Sequence, residues 1–238
     1  MNILKKISLW FYGLSDGLTK KYFHDAGRNN HVILVYPNGR EKNAKPKQLK
    51  NIKVKFVGDN NLLKIHLPFD LRKSSFSFHS NNSVIEIGCE SHMNLDIICG
   101  DENSVFSIGE NCHAVGIEAV LCGNTVKIGS NCMFSKEIII QEDTHSVLDY
   151  ETHKILNREK TVLTIGNHCW IGRGVTLLKK AAIPNDCIVA CDSVVTKQFN
   201  QEHCVIAGNP AMLVKQCVTW HSLSPSKYTE KIAITMPV

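Results

Sequence analysis

The chain has 238 residues, with 27 Lys and Arg against 22 Asp and Glu and a formal net charge of +5 at pH 7. That length gives room for one long-cored domain and a modest extension. The basic residues are scattered rather than blocked, which argues against nucleic acid as a partner and leaves enough cations to grip a phosphorylated small molecule. No apolar run approaches the ~20 residues of a membrane span. The N-terminus lacks both the long apolar core and the small-residue cleavage site of a secretory signal. The expectation is a cytoplasmic protein with no integral membrane segment.

Residues 1 to about 30 read as an amphipathic helix and connector, with Trp10, Phe11 and Leu14 on one face and Lys5, Lys6, Lys20 and Lys21 outside. Such a face suits a cap over the open end of a β-structure more than a membrane contact. A strand-like stretch from His31 then meets Pro37-Asn38-Gly39, a turn sequence because Asn-Gly tolerates positive φ. A lysine-rich loop, Lys42 to Lys50, follows, so residues 1–51 are expected to form an N-terminal extension.

From Ile52 the chain reads as a coil that ends near Ala211. Its first repeats are irregular alternating strands, and they become regular at Ile87-Gly88, Ile108-Gly109 and Ile128-Gly129. From Ile165 to Val194 the period is a strict six: Ile165, Ile171, Leu177, Ile183 and Val189 each open a block, and Cys169, Val175, Ala181, Cys187 and Ser193 stand fifth. A helix needs apolar residues every three to four positions and a strand every two, so a period of six fits neither. It fits a coil in which each hexapeptide makes one flat face and three close a turn, a parallel β-helix. The aliphatic residue stacks inside and the small fifth residue fills the corner.

Ten cysteines would ordinarily raise disulfides or zinc. No pair is spaced C-x-x-C, and Cys112, Cys132, Cys169 and Cys187 all fall at the small fifth position. They read as core, where a free thiol behaves as a small hydrophobe.

One uninterrupted turn after Ile128 would bring the next Ile-Gly near Ser146, yet it comes at Ile165-Gly166. The gap, residues 141–160, is polar and carries Asp143, His145, Tyr150, His153 and Arg158. An excursion from a regular scaffold is where function usually sits. Beyond the coil, residues 212–238 form a tail whose structure the sequence leaves open.

These features resemble the hexapeptide-repeat acyltransferases, left-handed β-helices, and within them the O-acetyltransferases of bacterial capsule, exopolysaccharide and O-antigen sugars. The resemblance covers roughly residues 85–215. It is carried by EDTHSVLDYETHKILN from Glu142, IGNHCWIGRGVTLL from Ile165, SVVTK from Ser193 and AGNPAMLVK from Ala207. It implies a homotrimer in which acetyl-CoA and a carbohydrate acceptor meet in the groove between neighbouring chains, with no metal. His145 matches the catalytic base; an imidazole of pKa near ~6.5 can take the proton of an attacking hydroxyl. Asp143 is the candidate to orient it, with Glu142 and a carboxylate of a neighbouring chain as alternatives.

On the donor side the resemblance sets Trp170 against the pantetheine or acyl group, with a subunit contact as the alternative. Gly172, Arg173 and Cys191 match backbone contacts to the pantetheine arm, and Thr196, Lys197 and Lys215 match contacts to the nucleotide phosphates. His92 and His113 are placed to line the acceptor groove. Three-histidine zinc sites also occur on this coil, but no third histidine follows His113 at short spacing. The remaining alternatives are N-acetylation of a nucleotide-linked amino sugar and a non-catalytic β-helix scaffold. A scaffold would need neither the Trp170 phrase nor the His145 excursion.

Overall fold

An aliphatic side chain at every sixth residue is buried by its neighbours only if the chain returns above itself once per turn. The computed structural model, which describes residues 22–136, 138–141 and 143–228, does this as a parallel β-helix with three faces per turn. On the first face Val84–Ile87, Val105–Ile108, Thr125–Ile128 and Val162–Ile165 pair in register. On the second, the ladder runs from His113 and Ala114 through Met133–Phe134, Trp170–Ile171 and Ile188–Val189 to Val205 and Ile206. On the third, Ile138–Gln141 lies between the strand from Ile117 and Thr176–Leu178, which pairs onward with Val194–Val195. The strands Ser91–Asp101 and His113–Cys122 carry through the corner between the second and third faces, so these two form one 14-stranded sheet beside an 8-stranded one.

The interior follows the hexapeptide register. All five block-opening aliphatics and all five small fifth residues are buried. In the wider N-terminal turns the axis is filled by aromatic rings instead: Phe56 and Phe78 stack at 4.8 Å, and Phe23 meets Phe56 edge-on at 6.2 Å. Each fully buried side chain of this size contributes about 1.5–3 kcal/mol by leaving water.

Corners are where backbone groups must be satisfied without a ladder. Between the third and first faces, Asn61 donates both its backbone N–H and its Nδ2 to Asn30 Oδ1, and Ser83 N–H donates to Asn61 Oδ1. Between the first and second faces, one residue per turn adopts a left-handed conformation: Glu90, Asn111, Asn131, His168, Asp186 and His203, with φ between 52° and 60°. Inside that corner Cys112, Cys132, Cys169, Cys187 and Cys204 form a buried column. Burial is the main cause that pushes the Cys187 thiol up to about 12, with Cys204 3.4 Å away adding to it. Thiols this hard to ionise are not nucleophiles.

The coil begins earlier than Ile52. Phe23–Asp25 pairs with the strand from Val54, and His31–Val35 pairs with Leu62–His66, both parallel. This first turn is 31 residues long, as the Asn30–Asn61 bond records, against 20 between Asn111 and Asn131. A hairpin lengthens it: Glu41–Asn43 folds antiparallel onto His31–Val35 through the turn at Gly39, where φ is 77°. It borders the 8-stranded sheet and leaves this turn of the coil hard to see in sequence. The helix expected from the N-terminus falls on residues 1–21, outside the described residues. At the other end Cys204–Gly208 and Ala211–Gln216 make an antiparallel hairpin, so the start of the tail is strand. No helix among the described residues is long and apolar enough to cross a membrane.

Candidate active site

The excursion leaves at the corner between the third and first faces. Behind it the ladder closes without a fault, because Thr125–Ile128 pairs directly with Val162–Ile165, and Thr161 N–H donates to Asn124 Oδ1 across 37 residues. The excursion itself is a small hairpin. Leu148 bridges Ile155, Leu156 N–H donates to Val147 O, and Asp149 accepts from Thr152 N–H and Oγ1 at the tip. Asn157 closes its base: Nδ2 donates to His145 O at 2.8 Å, and Oδ1 accepts from Val147 N–H at 2.9 Å.

Two consecutive lysines of the following turn hold this hairpin down. Lys179 Nζ donates to Asp143 Oδ2 at 3.0 Å and to Asn157 O at 2.8 Å, its side chain only 14% exposed. Lys180 Nζ donates to Glu159 Oε2 at 2.7 Å, which holds the Glu159 carboxyl below its ordinary value. His145 itself is exposed. It stands with Asn157, Arg158 and Lys179 around a cleft of about 450 Å³ that Asp101 and Asn124 also line. Asp143 lines the same cleft, but its carboxylate is bonded to Lys179 and no hydrogen bond joins it to the His145 ring among the described residues. Glu142 lies outside the described residues.

The donor candidates occupy other edges. Trp170 lies on the second face, 40% exposed, with Met133 and Ile188 on the rungs beside it. Gly172, Arg173 and Cys191 meet at the next corner: a Cβ on Gly172 would lie 2.7 Å from Cys191 N, and Asp192 N–H donates to Arg173 O. Gly172 is buried while Arg173 and Cys191 are exposed. Asp192 turns its carboxylate onto Gly174, whose φ of 70° lies in the left-handed region that favours glycine. Thr196 and Lys197 follow at the far side of the third face, where Lys197 lies over the Phe199 ring at 5.3 Å. Lys215, exposed, pairs with Val205 on the last rung of the second face. None of these donor candidates lines the His145 cleft.

His92 and His113 stack at 5.3 Å on the same outward column as Trp170, three and two rungs before it. Asp70, held below its ordinary value by Arg72 and His92, reaches His92 Nδ1 at 3.3 Å.

Two residues in this region escape the sequence pattern. Lys179 reads as an ordinary corner residue, and only its pairing with Asp143 gives it a role. Trp220 lies in the aperiodic tail and comes 6.2 Å from Trp170.

A three-faced parallel coil with a histidine-bearing excursion defines a hexapeptide-repeat β-helix. No protein-family model matches the chain. Over 167 residues it is 30% identical to a polysialic acid O-acetyltransferase of Neisseria meningitidis, an alignment that spans 69% of the chain and 77% of that protein. A polysialic acid O-acetyltransferase of Escherichia coli O1:K1 / APEC is 29% identical over 137 residues, and there the chain spans 57% of itself but only 44% of the relative. The fold overlays the crystal structure of the polySia specific acetyltransferase NeuO with a TM-score of 0.74 and 25% identity, covering 89% of this chain and 95% of that one. It overlays the polysialic acid O-acetyltransferase OatWY with a TM-score of 0.70 and 23% identity, covering 90% and 97%. The chain belongs to the hexapeptide-repeat acetyltransferases.

Proposed function

We propose that the protein transfers acetyl from acetyl-CoA to a hydroxyl of a capsule-type polysaccharide, with His145 as general base. The observation that carries this reading is the anchored excursion, which presents an exposed imidazole over a cleft while the coil behind it stays in register. In the reaction the acceptor oxygen bonds the acetyl carbon as its proton passes to His145, the bond from that carbon to sulfur breaks, and the departing CoA thiolate takes the proton from His145. A correctly placed base is worth about 10²–10⁴-fold. The corner formed by Gly172 with the exposed Arg173 and Cys191 suits an extended, amide-rich pantetheine arm. Thr196, Lys197 and Lys215 supply polar and cationic groups for phosphates.

His145 and the donor candidates stand on different edges of one chain, so the complete site needs a neighbouring copy, as in a homotrimer. The excursion hairpin supports this arrangement by exposing Val147, Leu148, Tyr150 and Leu156, with Tyr150 94% accessible. An apolar patch of that kind is characteristic of a protein contact. Polysialic acid is the first acceptor to try, because the relatives named above are called after it.

The test is titration calorimetry with acetyl-CoA, followed by thiol release with polysialic acid and other capsular polysaccharides. Saturable binding with acceptor-dependent release that His145→Ala abolishes supports the reading. A folded protein that ignores acetyl-CoA would end it and leave a β-helix scaffold.

A further inference from the structure

The chain does not stop at the closing hairpin but turns back along the outside of the coil. At Cys217, where φ is 57°, it enters the corner between the first and second faces and climbs it against the direction of winding. It is fastened to three successive left-handed corner residues. Val218 N–H donates to His203 O at 3.0 Å, Thr219 Oγ1 donates to Asp186 Oδ1 at 3.4 Å, and Trp220 Nε1 donates to His168 O at 2.8 Å. The His168 ring is itself held, its Nδ1 2.6 Å from Asp186 Oδ1, and Trp220 stacks on it at 4.7 Å and 13°. The strap thus ends with the Trp220 indole beside Trp170, centroids 6.2 Å apart and planes tilted by 45°.

A partly exposed tryptophan on a flat β-face has aliphatic neighbours on its rungs and little to fix its χ2. Trp170 has Met133 on one side and Ile188 on the other. Trp220 adds a tilted aromatic neighbour within the 4.5–7 Å range at which such pairs attract. Trp220 in turn is fixed by a hydrogen bond and a stack, so its geometry is imposed by the corner rather than by Trp170.

We propose that Trp220 is a positioning residue for the acyl donor: it holds the Trp170 indole in the orientation that meets acetyl-CoA, and makes the strap from Cys217 to Trp220 part of the donor site. This rests on the reading in which Trp170 lines the donor groove.

The experiment compares wild type, Trp220→Ala and Trp220→Phe in the full chain. It measures acetyl-CoA affinity by calorimetry, KM for each substrate, the unfolding midpoint and the mass in solution. Trp220→Ala is expected to weaken acetyl-CoA binding about three- to tenfold, the worth of one aromatic contact. Trp220→Phe is expected to restore most of it, while the KM for the acceptor, the mass and the unfolding midpoint stay at wild-type values. Wild-type affinity in Trp220→Ala overturns the proposal. So does failure of Trp220→Phe to rescue, or a loss that tracks a change in mass, which would make Trp220 a subunit contact. A wild type that does not bind acetyl-CoA overturns the donor reading, and this proposal with it.

Discussion

Lys179 Nζ lies 3.0 Å from Asp143 Oδ2, joining a corner of the coil to the excursion across 36 residues of sequence. The same ammonium also donates to Asn157 O, and Asn157 Nδ2 donates to His145 O. The chain of contacts runs from the scaffold through one cation to the histidine. Lys179→Met, which keeps the aliphatic stem, should therefore cost as much as ~10²-fold in turnover through misplacement of His145. The unfolding midpoint should hardly move, since a partly exposed ion pair is worth at most about 1 kcal/mol. Paired kinetics and thermal melts check both halves.

The second tie of the excursion carries a pH signature. The Lys180 hydrogen bond depresses the Glu159 carboxyl from its ordinary value of 4.5. Docking of the excursion therefore gains from this pair above the unfolded value and loses the gain as pH falls through the lower folded one. An NMR titration should find Glu159 ionising below pH 4.5, and Lys180→Ala should return it toward that value. No change between the two proteins would show that the pair does not form in solution.

His145→Gln preserves size and polarity while removing the proposed base. Turnover should fall about 10²–10⁴-fold with acetyl-CoA affinity unchanged. Near-normal turnover would move the base elsewhere in the cleft.

The thiols separate by environment. Cys191 and Cys217 are exposed, whereas the corner column from Cys112 to Cys204 is buried. An aromatic disulfide reagent should label Cys191 and Cys217 rapidly in the folded protein and leave the column silent until denaturant is added. Acetyl-CoA should protect Cys191. Cys191→Ser should keep its activity, because only the backbone of that residue is assigned to the donor.

Phe78 is fully buried against Phe56 on the coil axis. Phe78→Ala should cost about 3–5 kcal/mol, read from denaturant melts. A smaller value would mean that the N-terminal turns can collapse onto the space.

The regular half of the coil is legible in the sequence because the six-residue period survives there unbroken, and Ile165, Ile171, Leu177, Ile183 and Val189 are buried as that period requires. The start at Phe23 is not legible. One turn of 31 residues interrupted by a hairpin has no period to find, and its ladder to Val54 exists only in space. The excursion announces itself as a missing Ile-Gly, so His145 can be singled out by where the scaffold breaks. What holds it cannot. Asp143 is two residues from His145 in sequence, which invites pairing them, but the carboxylate finds a lysine a turn away instead. Trp220 escapes for the opposite reason: its place is fixed by the corner it climbs, and an aperiodic tail records none of that.

Because Thr125–Ile128 meets Val162–Ile165 with no rung lost, everything between Asp143 and Lys160 is a parenthesis that the stack does not read. The segment is free to lengthen, shorten or exchange its residues while the turns before and after it keep their partners. If the imidazole of this stretch is the base proposed above, reactivity in this architecture is a detachable clause. A short linker in place of the hairpin should leave a coil that folds without the imidazole, and new acceptors are open to the chain by rewriting this stretch while the rungs stay as they are.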